Sequence, residues 1–175
     1  MIFQFKPLGL ADITLIQEVG RATYEPYYPH IWRPGGLEWY MHKCFSTETL
    51  TTELSDPNYC YLIPRDEQGQ IVGLLKLVLE KTTPDGTITN ALYLEKIYLM
   101  PEFFGKGVGQ LLMEWVMGKA AALGRDAVWL VCMENGPVWT YERAGFQHTG
   151  DVSWDFELLR ETERRGLVMV KNVTK

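Results

Sequence analysis

The sequence predicts a mixed α/β fold in which helices flank a largely antiparallel sheet. Three observations carry this. The apolar residues follow a helical period up to about residue 55 and then switch to period two and to apolar runs over residues 59–100. Two turn-rich segments, Arg65-Asp66-Glu67-Gln68-Gly69 and Thr82-Thr83-Pro84-Asp85-Gly86, divide that stretch into three hairpin-connected strands. An apolar strand ending at Met100 then passes through Pro101 and glycines 105, 107 and 109 into an amphipathic helix.

Each element follows from local chemistry. Residues 2–6 alternate as a short first strand, and Ile13, Leu15, Ile16, Val19 and Ala22 give the segment from Leu10 to about Tyr24 one apolar helical face. Pro26 and Pro29 end that helix. A second helix follows Pro34-Gly35-Gly36 over about Leu37 to Cys44, and a third begins at Ser46, an N-cap residue, and stops before Asp56-Pro57-Asn58. Strands are expected over Tyr59–Pro64, Ile71–Lys81 and Ile88–Met100. The helix from Gly107 to about Leu123 ends at Gly124, and Ala127–Met133 reads as a buried strand. A short helix over Pro137–Ala144 and two strands, Phe146–Phe156 and Leu167–Val173, complete the order β-α-α-α-β-β-β-α-β-α-β-β.

The chain's 175 residues, 46% of them hydrophobic, suit one domain over 1–175 with one core. A formal net charge of -5 argues against a broad basic surface for nucleic acid and is compatible with cationic partners. Cys44, Cys60 and Cys132 lack metal-type spacing, so no metal site is expected and reduced thiols in a cytoplasmic protein are. The N-terminus does not read as a signal peptide, and no apolar window approaches the roughly 18 residues of a membrane span.

The glycine turn reads as a phosphate cradle. Glycines at 105, 107 and 109 let backbone approach a ligand, and the following helix offers unpaired N–H groups and partial positive charge to an anion. Neither the dinucleotide fingerprint nor the P-loop fits. The order strand, Pro101, glycine turn, helix with Leu111, Leu112, Trp115 and Val116 resembles instead the acetyl-CoA site of the GNAT superfamily of N-acetyltransferases. The family pattern is Gln or Arg, two residues, Gly, any residue, then Gly or Ala, and it maps onto positions 104–109. Gly107 and Gly109 match; Phe104 stands where the polar residue is usual, removing a side chain the family places beside the pyrophosphate. The resemblance extends to the order of elements and to Tyr141-Glu142-Arg143-Ala144-Gly145-Phe146, similar to the family's Tyr-Glu-Lys-x-Gly-Phe.

That resemblance implies a GNAT fold whose strand ending at Met100 splays from its parallel neighbour, Ala127–Met133, so that the pantetheine arm of acetyl-CoA lies in the gap. Backbone groups of Ile97, Tyr98 and Leu99 would line the arm, and Phe104, Gly105, Lys106, Gly107, Val108, Gly109 and Gln110 would surround the pyrophosphate. Lys106 could approach a phosphate or be a solvated loop lysine. Tyr141 is the candidate general acid for the departing thiolate, because a phenol with pKa near 10 is protonated at neutral pH; packing in a core is the other reading, and Trp139 reads as core. Asn135 resembles the Asn that binds pantetheine, though the interval to Tyr141 is one residue short and puts Glu134 at the expected place. It reads equally as a helix N-cap with Pro137 at the first helical position.

Glu95 shares a strand face with Tyr93 and Ile97 and is the candidate base for the amine. An ion pair with a lysine such as Lys76, or a water relay, is the alternative. Tyr24, Tyr27, Tyr28, His30, Trp32, Trp39, Tyr40 and His42 crowd the first helix connection. They could hold a cationic acceptor, glue the helices to the sheet, or line a homodimer contact. Glu25, Glu38 and Glu80 could add negative charge for an amine. The implied function is acetyl transfer from acetyl-CoA to a primary amine of a small molecule, polyamine-like among them. Acetylation of a protein or peptide, and a non-catalytic CoA-binding module, are the competing readings.

Overall fold

A computed structural model describes residues 2–173. The helices are α1 (Ile13–Tyr24), α2 (Gly36–Phe45), α3 (Thr47–Leu54), α4 (Val108–Ala122) and α5 (Val138–Arg143). The strands are β1 (Tyr59–Leu62), β2 (Gly73–Val78), β3 (Ala91–Leu99), β4 (Ala127–Met133), β5 (Gln147–Ser153) and β6 (Arg165–Asn172). They form one sheet in the order β1-β2-β3-β4-β6-β5. The mixed, mostly antiparallel sheet with one parallel pair is the arrangement expected from the sequence. The chain divides into two compact units, Met1–Leu77 with Lys96–Lys106 and Val78–Glu95 with Gly107–Lys175.

In the first unit, the apolar face of α1 buries Ile16 and Val19 against Met41, Phe45, Leu50, Tyr61, Ile63 and Leu74. Ser46 caps α3 as expected, its hydroxyl accepting the Thr49 N–H at 3.2 Å. The predicted first strand does not form as an element. Residues 2–6 contribute a single bridge, Gln4 with Arg65, and Pro7 a second with Leu62; Pro7 has no N–H with which to extend a ladder. The strands are also shorter than the apolar runs. Thus β1 stops at Leu62 ahead of Pro64, and β3 begins at Ala91 rather than Ile88.

In this unit β2 and β3 approach closely because position 73 is glycine. A Cβ there would lie 2.1 Å from the carbonyl oxygen of Tyr98. The Met100 N–H donates to the Val72 carbonyl at 2.9 Å. Tyr98 and Met100 therefore direct backbone groups toward β2, and by strand alternation Ile97 and Leu99 direct theirs to the opposite edge of β3.

The second unit is organised on β4. All seven of its residues pair antiparallel with β6, from Ala127 opposite Asn172 to Met133 opposite Gly166. The parallel ladder to β3 is registered at Ala91–Ala127, Leu92–Val128 and Tyr93–Trp129. β5 pairs with β6 and is irregular between His148 and Gly150. Ala91, Ala127, Trp129, Val168 and Val170 form a core, with the Tyr93 and Trp129 rings stacked at 3.9 Å. Helix α4 buries Val108, Leu112, Met113, Val116 and Ala120.

Candidate functional site

The glycine turn has the conformation its composition predicts. Gly105 and Gly107 adopt φ of +71° and +75°, the left-handed region that a Cβ disfavours, and a Cβ built at either would meet nothing within 4 Å. Gly107 is the N-cap of α4 and no side chain caps it. The first N–H groups of a 15-residue helix are thus reached through open, glycine-lined backbone. This fits a diphosphate, which needs close-approaching donors rather than side-chain volume. Val108 is buried and anchors the helix start; Lys106 is exposed. The Gln110 amide donates to Glu114 at 3.2 Å, one turn further along α4.

Phe104 is turned to a purpose other than the usual polar contact. Its ring stacks on Tyr27 at 4.4 Å between centroids with 22° between planes, yet remains 56% exposed. Partial burial and the nearby Glu102 carboxylate raise the Tyr27 phenol above its ordinary pKa.

On β3, Ile97, Tyr98 and Leu99 are all half-buried. The Tyr98 side chain joins an aromatic cluster, its hydroxyl 3.2 Å from that of Tyr40. Tyr24 stacks on Tyr28 and on Tyr40 at 4.5 and 4.7 Å, and Trp32 Nε1 donates to the Tyr24 hydroxyl at 3.1 Å. Burial drives the phenols of Tyr24, Tyr40 and Tyr98 well up, so all three stay neutral. Tyr24 and Trp32 are core residues at 4% and 5% exposure, whereas His30 and His42 are exposed.

Sequence reasoning missed Lys96. It lies buried on β3 with Nζ 3.4 Å from the Tyr40 hydroxyl and 5.6 Å over that ring. Its signal was period-two alternation, which puts Lys96 on the face of Tyr98, opposite Glu95.

The three glutamates expected to add charge for an amine are engaged by arginines. Glu38 forms a two-point pair with Arg21 at 2.8 and 2.7 Å, Glu25 lies 3.8 Å from Arg21, and Glu80 lies 2.7 Å from Arg125. Lys76, considered as a partner for Glu95, is buried and held by Glu53 at 2.7 Å.

In the second unit, Glu95 is half-buried on β3, two residues past the last registered pair with β4. Tyr141 is half-buried on α5, its ring edge-on to Phe146 at 6.3 Å. Asn135 is not the N-cap of that helix. Gly136 N–H closes a turn onto the Met133 carbonyl, Pro137 takes the N-cap position, and Asn135 Nδ2 donates to the Thr162 carbonyl at 3.3 Å. Trp139, expected in the core, is 61% exposed with Arg143 over its ring, on a six-residue helix that buries none of its residues. Cys132 is buried and its thiol is pushed up to about 12 by desolvation. Among the described residues, no group of three or more His, Cys, Asp and Glu side chains is arranged to hold a metal, and no helix is long and apolar enough to cross a membrane.

Comparison with known proteins agrees with this arrangement. The chain matches the Acetyltransferase (GNAT) family over residues 19–146. It is 25% identical over 125 residues, 71% of each protein, to an uncharacterized N-acetyltransferase in the pepI 3′ region of Lactobacillus delbrueckii subsp. lactis. Among solved structures, it resembles the PaiA N-acetyltransferase of Thermoplasma acidophilum in complex with coenzyme A, with a TM-score of 0.69, 19% identity, and 98% and 99% of the two chains covered. A mutant of the spermidine N-acetyltransferase SpeG from Vibrio cholerae gives a TM-score of 0.70 at 18% identity over 97% of this chain and 93% of that one. The structural likenesses show a shared fold. The family match spans the glycine turn and Tyr141, and the chain therefore belongs to the GNAT family and is an acetyl-CoA-dependent acetyltransferase.

Proposed function

We propose that this protein moves an acetyl group from acetyl-CoA to a primary amine of a small molecule, with a polyamine-like acceptor as the first choice. The observation that carries the reading is the open left-handed turn at Gly105 and Gly107 leading into the uncapped helix α4, within a family match. The polyamine choice takes support from the spermidine N-acetyltransferase among the structural relatives. The 175 residues act as one acetyltransferase domain, and cysteines that form no disulfide suit the cytoplasm.

Bound acetyl-CoA supplies a thioester whose acyl carbon accepts the amine. The backbone of Gly105, Lys106, Gly107, Val108, Gly109 and Gln110 holds the diphosphate. The backbone groups of Ile97 and Leu99, turned to the edge of β3 away from β2, hold the pantetheine amides, and the Ile97 N–H stabilises negative charge on the carbonyl oxygen. Asn135, two residues past β4, is left its side-chain oxygen for pantetheine, its amide nitrogen donating to the Thr162 carbonyl. Glu95 accepts the proton that the amine must lose, and Tyr141 keeps a proton to give to the departing sulfur. The half-buried rings Tyr27, Tyr28 and Tyr40 offer faces to an acceptor cation.

The test is thiol release from acetyl-CoA with a panel of amines. Release with spermidine or spermine supports the reading, and release with peptides alone moves the acceptor to protein N-termini or lysines. Tight CoA binding with no release for any acceptor would leave a cofactor-binding module.

A further inference from the structure

The sequence puts an aromatic ring at the head of a turn that should receive a polyanion, and a phenyl ring offers a phosphate nothing. Phe104 is nevertheless 56% exposed, in a chain that buries most of its large apolar side chains. The ring is also held in one orientation. Tyr27 stacks on one face at 4.4 Å and 22°, and the position of Tyr27 is itself set by its neighbours Tyr28 and Tyr24, whose rings are stacked on each other. Phe104 follows Phe103, which is buried, and its N–H donates to the Pro101 carbonyl, so the backbone beneath the ring is fixed as well. The result is a rigid aromatic face, backed on one side and open on the other, one residue before Gly105.

The chemistry that such a face recognises is a flat π-system. Resting on the reading that the glycine turn holds the diphosphate of CoA, the moiety attached there is an adenosine. We infer that the open face of Phe104 is a stacking platform for the adenine ring of CoA, with Tyr27 as its backing. Phe104 thus moves recognition at position 104 from the phosphates, where a Gln or Arg would act, to the base. Stacking tolerates any base and needs no hydrogen-bond partner, so a phenyl ring suffices. A base laid on the exposed ring would bury apolar area on both partners.

Calorimetry with CoA and with 4′-phosphopantetheine, which lacks the 3′-phosphoadenosine and one phosphate of the diphosphate, tests this on the wild-type chain and on Phe104→Ala, Phe104→Leu and Phe104→Trp. Phe104→Ala and Phe104→Leu should weaken CoA on the order of 10-fold, while the affinity for 4′-phosphopantetheine is unchanged. Phe104→Trp should bind CoA at least as tightly as the wild type. Equal weakening of both ligands would make Phe104 a packing residue of the turn and overturn the inference, as would wild-type affinity for CoA in Phe104→Leu. A wild-type chain that binds no CoA would instead overturn the underlying assignment of the turn, which separates the two failures.

Discussion

The ammonium of Lys76 lies 2.7 Å from Oε1 of Glu53, and the Tyr61 hydroxyl donates to the other carboxylate oxygen. Lys76 also lies over the rings of Tyr59 and Tyr61 at 5.2 and 5.6 Å. The pair links α3 to β2 where the Lys76 side chain is 5% exposed.

Removing one partner of a buried pair leaves the other charged and desolvated. Glu53→Ala is therefore expected to destabilise the chain by about 3–5 kcal/mol, whereas replacing both partners in Glu53→Leu with Lys76→Met should recover most of that loss. Urea denaturation midpoints of the wild type and the two variants check this. A double variant no more stable than Glu53→Ala would contradict it.

Gly73 permits the approach of β2 to β3. A methyl at position 73 would meet the Tyr98 carbonyl oxygen at 2.1 Å, a contact that backbone must move to relieve. Gly73→Ala should cost about 1–3 kcal/mol as overpacking. Because the shift displaces the segment bearing Ile97 and Leu99, it should also weaken CoA binding. Thermal melts and calorimetry on one preparation would show both effects together.

The left-handed backbone at Gly107 is intolerant of branched side chains. Gly107→Val should disfavour the observed φ of +75° and narrow the approach to the start of α4. CoA affinity is expected to fall by about 10-fold or more, in keeping with roughly 1–2 kcal/mol of left-handed strain plus lost access. Retained CoA affinity would show that this stretch of backbone does not hold the diphosphate.

Tyr141→Phe keeps the ring against Phe146 and removes the hydroxyl. Turnover should fall by about 10²–10⁴-fold, the usual size of a general-acid contribution, with CoA affinity preserved. Single-turnover rates beside a binding isotherm distinguish this from a packing defect, which would change both.

Cys132 predicts an alkaline weakness. Its thiol is raised from 9.0 to about 12 by burial. The folded chain keeps this proton while the unfolded chain releases it, so this group's stabilisation is complete below pH 9 and declines as pH rises toward 12. Denaturation midpoints measured across that window should fall less steeply in Cys132→Ala. At about pH 8, Cys132 should also resist iodoacetamide in the native state and react once unfolded.

Much of the fold was legible from local chemistry. Ser46 announced a helix start, the Asp56-Pro57-Asn58 stop ended α3, and glycines 105 and 107 announced a turn because few other residues take that backbone conformation without strain. Where the reading failed, partners distant in sequence decided the outcome. Residues 2–6 alternate like a strand but make only one bridge, Gln4 with Arg65, since pairing depends on the donors that a neighbouring segment can offer. Asn135-Gly136-Pro137 has the composition of a helix cap, but the Asn135 amide was claimed by Thr162, 27 residues away.

The sequence by itself determined most of the succession of elements and the glycine turn, because these rest on the period of apolar residues and on the conformational range of one residue type, while the cofactor class followed from the resemblance of those residues to the GNAT family. Only the tertiary structure decided which charges are neutralised and which rings are exposed. Glu38 became a partner for Arg21, Lys76 for Glu53, and Phe104 an open face backed by Tyr27. Those outcomes depend on which side chains folding brings within a few ångströms, and no periodicity along the chain encodes that.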